Sequence, residues 1–203
     1  PTGAGIVFNT LRPDKDASIA VFGAGGIGLS AILGAKVHEC TKIIVVDIEN
    51  EKLELAKEFG ATDVINCKTE DPVEKIHQIT KGKGVDYSVE AAGSAQVIES
   101  AFQSVKYNGG LCVIAGHPDC KERIKIDPYD LIRGKKIEGS WGGACEPDRD
   151  IPMYVENYKN GKLPLEKMIS RVYQLEEINH ALSELEKGQA HRILIRMDNS
   201  QET

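Results

Sequence analysis

The segment SIAVFGAGGIGLS, residues 18–30, limits the possible folds more than any other part of the chain. A short apolar run leads directly into a glycine-rich turn, and small and apolar residues with helical spacing follow from Gly26. A buried strand that turns through glycines into a helix is the first unit of a βαβ fold. The alternative interpretation is a tight structural turn that holds no ligand.

The spacing of the glycines is typical of a turn that cradles a pyrophosphate. Gly23 permits the tight turn, Gly25 has no side chain between the backbone and a phosphate, and Gly28 lets the helix pack close to the strand. Gly26 and Ile27 open the helix, where backbone amides without intrahelical partners attract negative charge. The turn therefore predicts a dinucleotide site.

An acidic residue stands at the position that selects between the two nicotinamide dinucleotides. Asp47 ends a second predicted strand and follows Gly28 by 19 residues, close to the roughly 20 expected. Its carboxylate can accept both ribose hydroxyls and would repel a 2′-phosphate. Ile48 and Glu49 supply no compensating arginine, so the sequence predicts NAD(H) rather than NADP(H). The alternative is that Asp47 only belongs to a turn.

Other candidate residues follow the ends of predicted strands. Lys52, one helical turn beyond a strand end, either flanks the adenosine ribose or is a solvated helix lysine. The small residues of AAGS (91–94) and AGHP (115–118) either let a nicotinamide and its ribose lie against backbone or form ordinary turns. His117 has no serine, cysteine or carboxylate partner in the sequence pattern, so we interpret it as a loop histidine rather than a catalytic base.

Strand patterns and helix patterns alternate with short linkers through most of the chain. This alternation requires a parallel sheet with right-handed crossovers. We predict an α/β fold, a doubly wound Rossmann sheet of about six strands, with a domain at 1–141 whose core is 14–141. The predicted strands are 18–22, 42–47, 63–66, 85–91, 109–116 and 135–141, and the predicted helix N-caps are Asn50, Asp71, Ser94 and Asp148.

The pattern changes after Trp141. Residues 142–203 predict a helix that ends near Asn160, a second helix within 176–188, and strands at 169–175 and 192–197. These elements do not continue the simple alternation. We expect them to complete the first domain or to contribute to a catalytic domain outside this chain.

Composition excludes several functions. The net charge of −6 argues against general nucleic-acid binding, and no stretch of about 18 apolar residues predicts a membrane span. No basic and apolar leader pattern opens the chain. We expect a cytoplasmic protein, and because the chain starts in mid-pattern without Met, we expect a fragment of a longer one.

The cysteines and histidines predict no metal site. The five cysteines are odd in number and no two are separated by only two residues, which fits neither a disulfide framework nor a zinc knuckle. No two histidines are spaced i, i+4. We expect reduced thiols and assign neither metal ligands nor catalytic residues to this chain.

Several motifs together resemble one family. TGAG, VFGAGGIGLSAI, IIVVDIENEKLELAKEFGATDVIN, GVDYSVEAAG and GGLCVIAG resemble the zinc-containing alcohol dehydrogenases of the medium-chain dehydrogenase/reductase family. The resemblance covers about 2–197, and GSWGGACEPDRDIP resembles the branch of glutathione-dependent formaldehyde and aryl-alcohol dehydrogenases. It implies a Rossmann coenzyme domain and alcohol–aldehyde interconversion by hydride transfer with NAD.

The resemblance also implies roles for individual residues. The matches to the pyrophosphate turn and the adenosine-ribose pair coincide with the residues derived above. Further implied cofactor contacts lie near the nicotinamide, its ribose and carboxamide, and the pyrophosphate: Thr2, Ala92, Ala115, Gly116, His117, Trp141 and Arg192.

The chain departs from the family in its metal ligands. The resemblance implies a catalytic zinc held by a cysteine and a histidine from an N-terminal barrel-like domain that is absent here, and by a second cysteine just upstream of the TGAG stretch, inside which this chain begins. Zinc polarises the carbonyl in this chemistry. We therefore expect this chain to bind NAD without oxidising alcohols, the alcohol or aldehyde being bound through the missing catalytic domain. The alcohol itself cannot be named.

The resemblance implies a homodimer or tetramer formed through the sixth strand, KKIEGSW at 135–141, since such a sheet edge needs covering. Three other functions stay open: a zinc-free quinone or enoyl reductase of the same superfamily, an S-adenosylmethionine methyltransferase, and a non-catalytic NAD-binding module. Asp47 argues against the first, which commonly uses NADPH. Gly28 and the final strand RILI argue against the second.

Overall fold

Six parallel strands form one sheet in the computed structural model, which describes residues 1–188, 190 and 192–197. The strands lie in the order β3-β2-β1-β4-β5-β6, which is the doubly wound Rossmann order. The predicted fold class is confirmed. The strand bounds are β1 Ser18–Phe22, β2 Lys42–Asp47, β3 Asp63–Asn66, β4 Tyr87–Glu90, β5 Leu111–Ile114 and β6 Lys136–Gly139.

Helices connect the strands on both faces of the sheet. The helix bounds are α1 Thr2–Gly5, continued by a π-helical stretch Ile6–Leu11, then α2 Gly26–Val37, α3 Asn50–Phe59, α4 Pro72–Ile79, α5 Ala95–Ser104, α6 Pro128–Ile132, α7 Pro147–Lys159 and α8 Ile178–Glu186. In the described part of the chain, none of them has the length and apolar character to cross a membrane.

The two sheet faces carry separate apolar cores because successive strand residues point to opposite faces. Ile19 and Val21 of β1 belong to the core shared with α2, whereas Ala20 and Phe22 belong to the core shared with α4 and α5. Burying one such large side chain contributes about 1.5–3 kcal/mol. The central strands are therefore held firmly, and their carboxyl ends form a stable platform.

The C-terminal segment forms a second, small sheet. β7 (Arg171–Gln174) and β8 (Ile193–Arg196) pair in parallel, with α8 between them in the sequence. Tyr154 of α7 and Leu163 are buried in the core on the α2 side, so this segment packs against the large sheet. The proposed domain division at Trp141 stays a prediction, and residues 198–203 of the second unit lie outside the described residues.

Two of the predicted helix caps are confirmed. Asp71 accepts a hydrogen bond from the Glu74 amide at 2.8 Å, with Pro72 in the first helical position. Ser94 accepts from the Val97 amide at a longer 3.5 Å.

Two other predicted caps are wrong. Asn50 is the first helical residue of α3 rather than its cap, and its side-chain oxygen accepts from Asn66 at 2.6 Å. The helix α7 begins at Pro147 with Glu146 as its N-cap, so Asp148 lies inside the first turn. Proline has no amide to satisfy at the first helical position, which moves the start toward Pro147.

The N-terminal helix was not predicted, and it brings Thr2 to the glycine turn. A Cβ placed on Gly3 would lie 1.9 Å from the Ile27 carbonyl oxygen, so α1 and α2 approach at backbone distance. Asn9 ties the same segment to the start of α7 by donating to Asp150 at 2.8 Å and to the Gly143 carbonyl at 3.1 Å. Only small residues permit this approach.

Candidate functional site

The carboxyl ends of β1, β2, β4 and β5 meet at one edge of the sheet. The strand order reverses between β1 and β4, and ligands of doubly wound sheets bind in the crevice at that point. The glycine turn follows β1 at this crevice. Asp47 ends β2 and Glu90 ends β4, so two acidic residues flank the turn.

The glycine turn has the geometry that its spacing predicts. Gly23 has φ +97°, and its amide donates to the Val46 carbonyl at 2.8 Å. A Cβ on Gly28 would lie 1.8 Å from the Gly23 carbonyl oxygen, so helix and turn are packed at backbone contact. A Cβ on Gly25 would meet no described atom within 4 Å, so open space lies beside the backbone there.

The start of α2 provides backbone donors beside that open space. Gly25 is the N-cap and Gly26 the first helical residue, and no described side chain caps this helix. The amides of the first turn have no carbonyl four residues earlier in the helix, and the helix dipole adds partial positive charge. The turn can therefore accommodate an anionic group.

Two cavities flank the turn. The Asp47 cavity, of about 500 Å³, is lined by residues that include Gly23, Asp47 and Ala92. The Thr2 cavity, of about 490 Å³, is lined by residues that include Thr2, Gly26, Ile27 and Arg192. Seven predicted site residues thus line two cavities that share one glycine turn. This arrangement suits an elongated ligand whose middle is negatively charged.

The Asp47 carboxylate is tied to the glycine turn. One oxygen accepts from the Ala24 amide at 2.7 Å, and the other accepts from Ile48 at 2.7 Å and Glu49 at 3.0 Å. Each carboxylate oxygen has two lone pairs, so acceptor capacity is left for a ligand hydroxyl. Asp47 is therefore both a structural acceptor and a half-buried wall of its cavity.

Lys52 lies near this region without lining either cavity. Its ammonium pairs with Glu49 at 2.9 Å, one helical turn back. Its side chain is mostly buried, and its Nζ lies 3.5 Å from where a Cβ on Gly188 would sit. The C-terminal segment therefore reaches the β2 end of the crevice.

The loops after β4 and β5 touch each other through backbone. A Cβ on Gly116 would lie 2.3 Å from the Gly93 nitrogen, and one on Gly93 would lie 3.0 Å from the His117 nitrogen. The Ala115 and Gly116 amides donate to the Glu90 carbonyl at 2.9 and 3.1 Å. The predicted Ala92, Ala115 and Gly116 are thus neighbours in one double loop, with Ala115 buried at the end of β5.

His117 and Trp141 contact each other at the same edge. Their ring centroids are 5.4 Å apart with perpendicular planes, and Trp141 is 85% exposed. Neither ring lines the two cavities described above. No described carboxylate or nucleophile hydrogen-bonds His117, which fits its interpretation as a loop residue rather than a base.

Arg192 brings positive charge to the Thr2 cavity. Its backbone is held by Ser170, whose amide and hydroxyl donate to the Arg192 carbonyl at 2.8 and 2.9 Å. Among the described residues its guanidinium has no carboxylate within salt-bridge distance. An exposed arginine held in this way can serve a phosphate group.

The described residues contain no group of three or more histidine, cysteine, aspartate or glutamate side chains that could hold a metal ion. All five cysteines are free thiols. Burial raises the pKa of Cys40 to about 11 and of Cys112 to about 12, so both thiols are neutral packing groups. Zinc therefore does not fit the described part of this chain.

Sequence reasoning missed the acids Glu90, Glu70 and Asp71. Glu90 is completely buried, and Glu70 and Asp71 line the Asp47 cavity. Glu90 had a signal in the sequence, because an acidic residue ends the otherwise apolar strand of VDYSVEA directly before a turn. Glu70 and Asp71 had none, since only the packing of the loop after β3 brings them to this cavity.

A family model described as zinc-binding dehydrogenase matches residues 26–160. The fold and the site define a dehydrogenase-type dinucleotide domain. The chain belongs to the zinc-binding dehydrogenase family, and the methyltransferase alternative is thereby wrong.

Alcohol dehydrogenases are among the proteins to which this chain is similar. The chain is 37% identical over 199 residues to alcohol dehydrogenase 1 of Pisum sativum, covering 97% of this chain and 52% of that protein. It is 38% identical to alcohol dehydrogenase class-P of Arabidopsis thaliana, with the same coverage. Benzyl alcohol dehydrogenase from Acinetobacter calcoaceticus has a TM-score of 0.93 and 37% identity, covering 97% of this chain and 54% of that one. The chain spans about half the length of the curated relatives it matches.

Proposed function

We propose that the chain is the NAD(H)-binding part of a zinc-dependent alcohol dehydrogenase, which transfers a hydride between an alcohol or aldehyde and NAD. The observation that carries this proposal is the position of the glycine turn between two cavities lined by the predicted site residues. The similarity to alcohol dehydrogenases supports the same reaction rather than a zinc-free quinone or enoyl reductase.

The residues present fit this cofactor. Gly25 leaves room beside the turn, the first amides of α2 would donate to the pyrophosphate, and Arg192 would add positive charge from the Thr2 cavity. When bound, NAD supplies a nicotinamide ring that accepts or releases a hydride. The protein binds and orients it.

Each end of the cofactor has its own proposed contacts. Asp47 and Lys52 serve the adenosine ribose, and Asp47 has acceptor capacity left for it. Ile27 belongs with the glycines of the pyrophosphate turn. The proposed contacts of the nicotinamide half are Thr2, Ala92, Ala115, Gly116, His117 and Trp141, of which Ala92 also lines the Asp47 cavity. The loops after β4 and β5 are in direct backbone contact, so a shift of one loop would displace the other.

Charge at the Asp47 cavity supports NAD over NADP. Asp47, Glu70 and Asp71 line it, so a 2′-phosphate there would meet three carboxylates. Two like charges about 4 Å apart cost roughly 4 kcal/mol at an effective dielectric constant of 20. Lys75 pairs with Glu70 at 2.7 Å and neutralises part of this charge, while Asp47 and Asp71 accept backbone amides.

Titration of the purified chain with NADH and NADPH tests this proposal. The single tryptophan, Trp141, is exposed at the crevice edge and reports binding through its fluorescence. We expect NADH to bind at least tenfold more tightly than NADPH. Tighter NADPH binding contradicts the role of Asp47, and binding of neither contradicts the dinucleotide site.

The zinc and the alcohol are proposed to be bound outside the described part of this chain. Apolar side chains of the C-terminal segment form the far wall of the Thr2 cavity and stay exposed for such a partner, at Ile151, Val155, Tyr158, Leu165 and Ile169. We expect the purified chain to bind NADH but to show no alcohol oxidation with added Zn²⁺. Turnover at the rate of a complete enzyme would contradict this division of labour.

We propose that two copies of this chain associate through the edge strand β6. This strand is the last in the sheet order, so one edge is open, and Tyr129, Leu131 and Ile132 just before it are exposed. Sedimentation at micromolar concentration should show a dimer or tetramer. A monomer would contradict this interface for the chain as given.

We propose a cytoplasmic location without nucleic-acid or membrane partners. Five free thiols and a net charge of −6 support this proposal. Fractionation of the source cells with an antibody to the chain would test it. Enrichment in a membrane or chromatin fraction would contradict it.

A further inference from the structure

Glu90 is the one acidic residue of the crevice that is hidden from solvent, with an exposed fraction of 0% among the described residues. It is the last residue of β4, the strand beside β1 at the point where the sheet order reverses. Acidic side chains are almost never fully buried unless they are paired. Glu90 has no cationic partner among the described residues, so its burial needs another explanation.

The partners of Glu90 are backbone amides of the two loops that follow β4 and β5. One carboxyl oxygen accepts from Ala92 at 2.8 Å and from Gly93 at 2.6 Å. Its main-chain carbonyl accepts from Ala115 and Gly116 at 2.9 and 3.1 Å. The Glu90 side chain therefore holds the loop after β4, and its main-chain carbonyl, which any residue at this position keeps, binds the loop after β5.

The second carboxyl oxygen, Oε2, is buried without a hydrogen-bond partner among the described atoms. It lies 2.7 Å from where a Cβ on Gly116 would be. Burial raises the pKa of Glu90, although the amide hydrogen bonds act in the opposite direction. A buried polar atom without a partner is costly and is retained in native proteins chiefly where it serves a purpose.

We propose that Glu90 is a positioning residue whose carboxyl fixes the loop after β4, which together with the loop after β5 faces the nicotinamide half of the cofactor. It does not contact the cofactor itself, and it acts through the backbone of Ala92 and Gly93, which packs against Gly116. This inference rests on the proposed NAD(H) function.

The consequence is an effect that differs between the two halves of the cofactor. Loss of the Glu90 carboxyl releases two amides and loosens the loops of the nicotinamide half, while the glycine turn and Asp47 keep their own hydrogen bonds. NADH affinity should fall about tenfold, which corresponds to about 1.4 kcal/mol. ADP, which has no nicotinamide half, should lose less than about twofold by the same relation.

The experiment measures the Kd values of NADH and ADP for the parent chain and for Glu90→Ala, Glu90→Gln and Asp86→Asn. Glutamine keeps an oxygen for the Ala92 and Gly93 amides, so it should restore most of the NADH affinity. Asp86 is the matched control, because it precedes the same strand at its opposite end and accepts from Ser18. Asp86→Asn should lower stability without changing the ratio of the two Kd values.

The outcomes separate the two proposals. If the parent chain binds neither ligand, the proposed function fails. If the parent binds NADH and folded Glu90→Ala binds NADH and ADP with unchanged or equally weakened affinities, the positioning role is overturned. If Glu90→Ala does not fold, Gly116→Ala substitutes for it, because its Cβ would displace the same loop; an unchanged ratio there overturns the proposal as well.

Discussion

The ends of β2 and β4 carry the same kind of side chain in opposite settings. Asp47 is half-buried at a cavity wall and its two oxygens accept three backbone amides. Glu90 is completely buried, and one of its oxygens has no described partner. Both residues stand at the same edge of a parallel sheet and flank the same glycine turn.

The difference suits the two carboxyl groups to the different tasks that we propose for them. At the β2 end, solvent and amides stabilise the charge, so the carboxylate can meet a ligand hydroxyl. At the β4 end, burial opposes the charge and raises the pKa, so the group serves the protein backbone instead. Environment rather than residue type separates the two tasks.

The largest expected effect on stability comes from a substitution in the glycine turn, which lies between the ends of β2 and β4. Gly28→Ala should lower the free energy of unfolding by about 3 kcal/mol, because its Cβ would collide with the Gly23 carbonyl. Gly25→Ala is the matched control, with an expected loss below about 1 kcal/mol in the open space at that position. Urea denaturation measures both variants. NADH affinity should fall in both, and equal stabilities would contradict the packing at Gly28.

Asp47→Ala tests the β2 end. Three amides lose their acceptor, so the free energy of unfolding should fall by about 1–3 kcal/mol. The Kd of NADH should rise at least about tenfold, and the preference for NADH over NADPH should shrink. Glu51→Ala, an exposed acid on α3, is the control for charge alone. An unchanged NADH affinity in Asp47→Ala would remove this residue from the site.

The pH dependence of stability should have opposite signs at the two ends of β4. The pKa of Glu90 is raised in the folded protein. Its contribution to the free energy of unfolding is therefore fully present below pH 4.5, the ordinary glutamate pKa, and is lost as the pH rises through the higher pKa of the folded state. Burial also opposes the ionisation of Asp86, but hydrogen bonds from Lys106 and Ser18 outweigh burial and lower the pKa of this carboxyl group. The contribution of Asp86 to the free energy of unfolding is therefore lost as the pH falls through a folded pKa below 3.8.

Urea denaturation of Glu90→Gln and Asp86→Asn between pH 3 and pH 7 measures this difference. Relative to the parent, Glu90→Gln should gain stability as the pH rises, and Asp86→Asn should lose it. Parallel curves for the two variants would contradict the contrast between the two carboxyl groups.

The smallest expected effect belongs to Lys52→Met. Its partly exposed ion pair with Glu49 should contribute less than about 1 kcal/mol to stability. NADH affinity should fall about two- to threefold if the ammonium also serves the adenosine ribose, which corresponds to about 0.5 kcal/mol. Lys57→Met, which breaks the similar pair with Glu54, is the control and should leave NADH affinity unchanged.

Local patterns predicted the sheet well. β1, β2 and β3 have the predicted bounds, because each is a short apolar run between turn residues. β4, β5 and β6 are shorter than predicted by one or two residues at each end, where the predicted ranges extend into the glycine and polar residues of the adjoining turns. α1 was missed because TGAG has little helix propensity, and its helical form depends on close packing against α2.

The positions of the local site residues were predictable, and their roles in binding stay predictions. The glycine turn and Asp47 lie at the strand ends where the spacing places them, because both follow directly from strands. The burial of Glu90 and the position of Glu70 and Asp71 at the Asp47 cavity were not predicted, since both depend on how strands and loops pack together.

The sequence alone determined the order of strands and helices, the glycine turn, and the acid that ends β2, because hydrophobic period and turn chemistry act over a few residues. Only the tertiary structure decided that Thr2 and Arg192 share a cavity with Ile27, that Asp47 is bound to Ala24, and that the loops after β4 and β5 touch through backbone. Those contacts join different segments of the chain. Their formation depends on how the helices pack on the sheet, which short-range patterns do not encode.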